Sequence, residues 1–530
     1  MSDLAGEVCD PVLLNTFLIK KKKCRVYFHR GTLTWETEGS PYTRSTLPLS
    51  DVLAAQYVHS ADRSQCCGPE EPKSPCGSGG GGGGGGDGGA GCGAHSSFTL
   101  HYAARASRCR WQYRCVTFNH TDPRQVASWV KTIRNYLAGL RRRPRKVLVV
   151  VNPFGGRRRG PRVLERQVKP LLAVAGVESE VLLTQRPGHA HDTLLRRPLD
   201  GLDAVISIGG DGTFAEVFNG LVLRAARDAG IDHNDPEARL PPPPLRVGVV
   251  PGGSTNTMAY CLHGTTDVQT AVIHILLGDT RGLDLCSVHS NGSLLKYYSS
   301  VISYGYLGDV LRDSEKFRWM GPKRYDYSGF KKFFCNKGYE GEVRLLADGT
   351  SAAEGPRCKQ NCARCSTRQS TKDATPLSPG EWKTFRGKFF MVNCANVSCA
   401  CQRSPNGMSP YCHIGDGCVD VVMVKHSNLF NNLRLLLRMT SKANNVFDLP
   451  FVEVHRAREF SFKPLADNIP DSSPVSPRLV PGISVWNCDG EVQWEANMRV
   501  RVHCQLLDVF TRGIPENDDE EQPSCKICSF

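Results

Sequence analysis

Apolar residues follow two rhythms along this chain, and the change between them divides it. Up to about residue 118 they come in short alternating runs: LLNTFLIK, CRVYFHR and TLTWETE within 11–58, then Ser97 to Tyr102 and Arg110 to Phe118. Alternation of this kind predicts half-buried strands. Val126, Trp129, Val130, Ile133 and Leu137 follow at helical spacing, with Asp122 placed to cap and Pro123 at the first helical position. From Lys146 the rhythm changes. KVLVVV, DAVISI (203–208) and RVGVV (246–250) are continuous apolar runs, as strands covered on both faces require, and each leads into a glycine-rich loop and a helical pattern. After DAVISI, the residues Phe214, Val217, Phe218, Leu221 and Ala225 share one helical face. Three strand–loop–helix units in succession predict an α/β lobe whose loops gather at the carboxyl edge of a doubly wound sheet. Beyond about Leu283 the alternation returns in LLKYYSSVISYGY, EGEVRLLAD, GKFFMVNCANVS, DVVMVK, FVEVHRAREFSF and EVQWEANMRVRVHCQLLDVF, predicting an antiparallel β-rich lobe. The expected fold class is therefore multidomain: a β domain over 10–140, an α/β nucleotide-binding lobe over 143–285, an antiparallel β-rich lobe over 286–515 and a flexible tail over 516–530. Polar stretches near 347–380 and 463–482 read as loop insertions.

Composition agrees with several globular units. At roughly 150 residues per domain, 530 residues give three to four of them. Hydrophobic residues make up 40% and charged residues 22%, and no uncharged apolar stretch reaches the roughly 18–20 residues of a membrane helix. Helical membrane protein, collagen and wholesale disorder are excluded. MSDLAGEVCDPVLLNTFLIK carries acids before its apolar residues, so it does not read as a signal peptide, and the 23 cysteines are expected inside the cell as reduced thiols. A glycine tract from Cys66 to Gly93 has too few apolar side chains to fold and reads as an insertion in a loop of the first domain. The net charge of +14 is uneven: residues 1–146 hold 21 Lys and Arg against 11 Asp and Glu. That region suits an anionic surface, and charge alone admits nucleic acid or membrane.

Glycine loops after buried strands suit phosphate, because backbone N–H groups converge there with no Cβ in the way. Gly155 to Gly160 has the spacing of a P-loop, but Pro161 and Arg162 stand where Lys and Ser or Thr would bind phosphate and magnesium, so it is not a Walker A motif. GGDGT sets Asp211 between glycines at a strand end, where a carboxylate has little structural reason to sit beyond turning or capping the chain. Cys358, Cys362 and Cys365 form C-x3-C-x2-C, zinc candidates that lack a fourth ligand unless Cys335 supplies it. Residues 429–442 (LFNNLRLLLRMTSK) are basic and amphipathic, suiting calmodulin, a membrane surface, or simple packing on the lobe.

GGDGT after its strand, preceded by VVNPFGG and followed by PGGSTNT, resembles the catalytic region shared by diacylglycerol, sphingosine and ceramide kinases. SYGYLGDVLRDSEKFRWMGPKRYDYSG resembles the sphingoid-lipid branch, and GDGCVDVVMV and WNCDGE resemble its second lobe. The first 140 residues resemble a pleckstrin homology domain, from which the glycine tract departs. With the cysteine spacing, these features point to the ceramide kinase branch. The resemblance implies a lipid kinase with ATP and Mg2+ between two lobes, phosphorylating the primary hydroxyl of ceramide to ceramide 1-phosphate. It implies Asp211 as base, with Gly209, Gly210, Gly212 and Asp309 at the substrate. Asn152, Pro153, Phe154, Thr184, Gln185, Arg186, Pro187, Gly188, Glu216, Gly253, Ser254, Thr255, Arg318, Arg324, Asp489, Gly490 and Glu491 are placed on the nucleotide side. Lys20, Lys21, Lys22, Lys23 and Arg25 would bind anionic or phosphoinositide membranes, with no nucleic acid partner. Calmodulin through 429–442 and Ca2+ as a regulator are further expectations, as is a cytoplasmic enzyme peripheral on Golgi and plasma membranes. Sphingosine or diacylglycerol as acceptor stays open, as does a catalytically silent membrane adaptor.

Overall fold

A computed structural model describes residues 12–39, 42–58, 96–321, 323–352, 354–370, 381–402, 404–440, 446–465 and 482–516. The glycine tract and the tail beyond Glu516 lie outside them. Seven antiparallel strands open the fold, in the spatial order Arg44–Pro48, Thr32–Thr37, Lys22–His29, Leu13–Ile19, Arg110–His120, Ser96–Ser107, Val52–Val58. Helix Pro123–Gly139 closes them, its N-terminus capped by Asp122, whose side chain accepts the Arg124 N–H at 2.9 Å. Val126, Trp129, Val130 and Ile133 are buried against Phe17, Phe98 and Phe118, so the helical stripe in the sequence becomes the core of a pleckstrin homology fold.

The α/β lobe has four parallel strands in the order Glu178–Leu183, Lys146–Val151, Ala204–Gly209, Arg246–Pro251. Leu148 and Val150 feed a core on one face with helices His189–Arg196 and Asp211–Asp228; Val147, Val149 and Val151 feed another with helix Val268–Leu277. Alternate residues of one strand thus serve two cores, which is why its sequence is apolar without a break. Glu178–Leu183 is an edge strand absent from the three predicted units. Its exposed and half-exposed side chains leave no continuous apolar run to find.

Antiparallel strands build the second lobe, among them Val301–Gly305, Tyr339–Ala347, Glu381–Ala395, Val419–Lys425 and Val452–Pro464. One long strand, Met498–Phe510, joins the lobes. It pairs antiparallel with Thr280–Ser290 and Val452–Pro464 and meets Arg246–Pro251 in parallel at Val247 and Val509. The N-terminal fold is docked rather than tethered: Leu53, Ala103 and Trp111 belong to the same buried cluster as Val272 and Ile273. Arg512 completes the contact, pairing with Asp51 at 2.9 Å and lying over the Trp111 ring. Among the described residues, no helix is long and apolar enough to cross a membrane.

Candidate active site

Asp211 is the first residue of the helix that follows strand Ala204–Gly209, and no side chain caps that helix at Gly210. Its carboxylate accepts the N–H of Thr257 at 3.1 Å and of Met258 at 2.9 Å, both at the start of helix Thr257–His263. Asp211 thus bridges two of the three predicted loops. Burial pushes its carboxyl above the usual range; the Met258 and Thr257 N–H groups pull it back, and the nearby Asp489 charge adds to the rise.

Asn152 ties the remaining loop in. Its Oδ1 accepts the N–H of Phe154 at 2.9 Å and of Gly155 at 3.1 Å, while Nδ2 donates to Thr213 Oγ1 at 3.0 Å on the Asp211 helix. Pro153 therefore sits inside a side-chain-closed turn, and Phe154 projects outward, 64% exposed. The loops also touch directly. Gly156 has φ +54 and a Cβ there would collide with the Gly252 carbonyl; one at Gly253 would collide with Gly210. Around Gly212, by contrast, a Cβ would meet nothing within 4 Å. So most of these glycines are required for loop to lie on loop, and Gly212 is the one that opens onto free space. In the PGGSTNT loop, Asn256 at φ +55 accepts the Gly253 N–H at 2.7 Å, fixing the turn that presents Ser254 and Thr255.

TQRPG follows the edge strand. Thr184 is buried and its N–H reaches Val151 O at 2.9 Å; Gln185 donates its N–H to His189 Nδ1 at 3.1 Å; Arg186 pairs with Asp192 at 2.6 Å. Glu216 reaches back from the Asp211 helix to accept the N–H of Gly188 at 2.9 Å and of Ala190 at 3.2 Å. Its carboxylate holds the Pro187–Gly188 turn in place.

The second-lobe residues sit in tighter networks than their motifs suggest. Asp489 and Gly490, at φ +47 and +85, form the two-residue hairpin between Trp486–Cys488 and Glu491–Gln493. The Asp489 carboxylate accepts the N–H groups of Ser299 (2.8 Å), Ser300 (3.0 Å) and Val301 (3.1 Å) together with both serine hydroxyls. Glu491 is exposed and pairs with Lys296 at 2.7 Å. Asp309, buried in helix Tyr306–Ser314, accepts from Arg312 at 2.7 Å, from the Ser484 hydroxyl at 3.0 Å, and from the Tyr339 hydroxyl. Arg324 lies over its neighbour Tyr325 and donates to that hydroxyl at 2.6 Å. The Arg318 side chain lies outside the described residues.

Three family models match the chain in succession: the ceramide kinase PH domain over 13–133, the diacylglycerol kinase catalytic domain over 146–288 and the ceramide kinase C-terminal domain over 299–528. A Homo sapiens protein named ceramide kinase is 40% identical, across 97% of this chain and 98% of that protein. The chain belongs to the ceramide kinase family. A Mus musculus ceramide kinase is 39% identical across 79% of this chain and 84% of its own, and sphingosine kinase 2 of Arabidopsis thaliana 29% across 63% and 68%. Membership makes the protein a lipid kinase that uses ATP, normally with a divalent metal ion.

For a ceramide kinase the loops fit such a nucleotide: three glycine turns converge, a helix N-terminus is left uncapped, and Gly212 opens onto free space beside Asp211. The metal side is sparser. Asp489 already accepts five donors and the exposed Glu491 is paired with Lys296, so of the acidic candidates Asp211 is the one that stands at the glycine loops. In the PH domain, Lys20 and Lys21 occupy the turn of the first hairpin at φ 45 and 66, with Lys22, Lys23 and Arg25 exposed beside them. Two lysines in left-handed conformation are an unusual choice where Asn-Gly is favoured, and they push the charge outward at the loop tip.

Sequence reasoning missed Asn256, which closes its own PGGSTNT loop onto Gly253, Ser299 and Ser300, which donate to Asp489 of a distant hairpin, and Asn219, which clamps the Asp211 helix to Tyr297 through both the N–H and the C=O of that residue. Only Asn219 left a signal, a polar residue inside an apolar helical run. Cys335 stands exposed at the end of helix Lys323–Cys335, and the partner that completes the cysteine cluster is His413. The expectation for Cys335 is thereby corrected. Cys335 could have contributed by residue type, but it ends its helix outside the group whose ligand atoms lie within 4.8 Å of one another.

Proposed function

We propose that this protein transfers the γ-phosphoryl group of ATP to the primary hydroxyl of ceramide, giving ceramide 1-phosphate. The observation that carries the reading is Asp211, a carboxylate pinned by two backbone N–H groups where three glycine loops meet. ATP is the phosphoryl donor, and a bound Mg2+ would neutralise the charge on its phosphates beside Asp211, an ion that needs few protein oxygens. Asp211 takes the hydroxyl proton as the oxygen attacks in line, with Gly209, Gly210 and Gly212 beside the reacting groups. Thr257 and Met258 hold its orientation. Asn152, Pro153, Phe154, Gly253, Ser254 and Thr255 cradle phosphate and nucleotide; Glu216 presents Thr184 to Gly188; Arg318 and Arg324 reach phosphate oxygens; Asp489, Gly490 and Glu491 close the second-lobe side.

Asp309 favours an amide-bearing acceptor over an amine. Its charge is already matched by Arg312 and satisfied by Tyr339 and Ser484, so it offers no idle anion to a sphingosine ammonium. Lys20 to Lys23 and Arg25 hold the enzyme peripherally on anionic or phosphoinositide-bearing cytoplasmic surfaces, with Golgi and plasma membranes as the sites. Helix Leu429–Thr440 leaves Phe430 and Leu437 more than half exposed, which supports calmodulin docking there and Ca2+ control exerted through it. The working division is 10–140, 143–285, 286–515 and a tail.

The test is transfer of labelled γ-phosphate to ceramide, sphingosine and diacylglycerol in mixed micelles, with Asp211→Asn as control. Labelled ceramide, lost in the variant, is expected. Preferential labelling of sphingosine or diacylglycerol overturns the acceptor, and no label in any lipid by folded, vesicle-bound protein makes it an adaptor.

A further inference from the structure

Cys358, Cys362, Cys365 and His413 bring four ligand atoms within 4.8 Å of one another. None of the three cysteines is in a disulfide: Cys358 Sγ and Cys365 Sγ stand 3.8 Å apart, and Cys362 Sγ lies 3.1 Å from His413 Nδ1. A tetrahedron with Zn–S bonds of about 2.3 Å has sulfur–sulfur edges of about 3.8 Å, so the spacing suits a metal at the centre far better than an S–S bond of about 2.05 Å. We propose that these residues form a closed Cys3His zinc site.

The convergence is built by groups outside the cluster. Arg364, between two of the cysteines, donates to Asp416 at 2.5 Å and Asp348 at 3.3 Å. Gln505, on the strand shared by both lobes, donates to the carbonyls of Cys365 (2.9 Å) and Gly415 (2.7 Å), so one amide clamps the segments on both sides of the site. Lys359 O accepts from Arg281 at 2.8 Å, and the Gln360 N–H reaches Ile514 O at 2.7 Å. Two chain segments far apart in sequence are thus held so that three soft sulfur donors and one imidazole face a single point. That donor set selects zinc over hard cations. Four protein ligands leave no open coordination position, which makes the role structural. Among the described residues it is the one grouping of three or more His, Cys, Asp or Glu side chains arranged this way.

The site also has a place to act. Cys358 and Cys362 line a cavity of about 940 Å³ that Tyr260, Cys261, Ser398 and Ile414 share. Tyr260 and Cys261 lie on the same short helix whose first N–H groups hold Asp211. The metal therefore fixes the wall facing that helix.

Metal analysis of the full chain, purified untagged and without chelator, tests this. About one zinc per chain is expected, and cobalt(II) added to metal-stripped protein should give the visible d–d bands and sulfur charge-transfer bands of tetrahedral thiolate coordination. His413→Ala should lower zinc occupancy and melting temperature together, His413→Cys should retain the metal, and Cys335→Ser should change neither. Wild-type chain that holds no zinc and gives no tetrahedral cobalt spectrum overturns the site, as does a Cys358–Cys365 disulfide in freshly purified protein. Full occupancy in the His413→Ala variant overturns the ligand set. The cobalt spectrum of the wild-type chain decides the matter even where a variant fails to fold.

Discussion

Asp211 carries two demands that pull its acidity in opposite directions. Burial favours the protonated carboxyl, whereas a proton acceptor must be ionised, and the N–H groups of Thr257 and Met258 stabilise that charged form. Burial is the larger influence, so the acid limb of the pH–activity profile should lie above the ordinary aspartate value near 3.8, with turnover falling as pH drops through the raised value. Asp211→Asn should reduce turnover by about 10²–10⁴-fold, with nucleotide binding retained, and its residual rate should lose that limb; single-turnover rates across pH read both. Comparison with Asp489 shows what residue identity alone does not reveal. Both aspartates stand beside glycine at the end of a strand, but only one has its oxygens filled by the chain's own serines. The motif was legible in the sequence; which carboxylate has room to act depends on Ser299 and Ser300, nearly two hundred residues from Asp489.

At the level of elements, the glycine loops separate packing from ligand contact. Gly156→Ala should destabilise by on the order of 1–3 kcal/mol, because the left-handed backbone and the Gly252 carbonyl both oppose a side chain. Gly212→Ala should leave the melting temperature unchanged and weaken ATP binding, since its methyl group enters the open space; thermal melts and nucleotide titration distinguish the two. In the second lobe, Arg456 and Asp420 pair at 2.8 Å between strands Val452–Pro464 and Val419–Lys425 with side chains only 3% and 1% exposed. Arg456→Met alone should cost about 3–5 kcal/mol by stranding a buried charge, and adding Asp420→Leu should recover most of it; denaturant unfolding measures both. The buried parallel strands were readable because burial on both faces writes itself as unbroken apolar sequence. The edge strand Glu178–Leu183 and the partner of the cysteine cluster were not, since the first has little buried face and the second is chosen by how distant segments cross.

Across the whole molecule, charge and packing are divided between different parts. Lys20 to Lys23 sit at a hairpin tip of a domain whose other side is locked to helix Val268–Leu277 through Trp111, whose N–H donates to Thr270 at 3.0 Å. Lys20 to Lys23 replaced together by Ala should weaken binding to anionic vesicles by up to about 1 kcal/mol per lysine, with the difference shrinking as salt rises; kinase activity on micelle-dispersed lipid should change little. Vesicle sedimentation at several ionic strengths reads the effect.

The strand Met498–Phe510 gives the chain a deadline. It is made after Arg246–Pro251, Thr280–Ser290 and Val452–Pro464, all of which wait for it as their neighbour. During synthesis those strands leave the ribosome with open edges, an arrangement that invites chaperone capture and mispairing. A message truncated before codon 498 should therefore yield insoluble protein rather than a weakened enzyme, which fractionation of cell lysates would register.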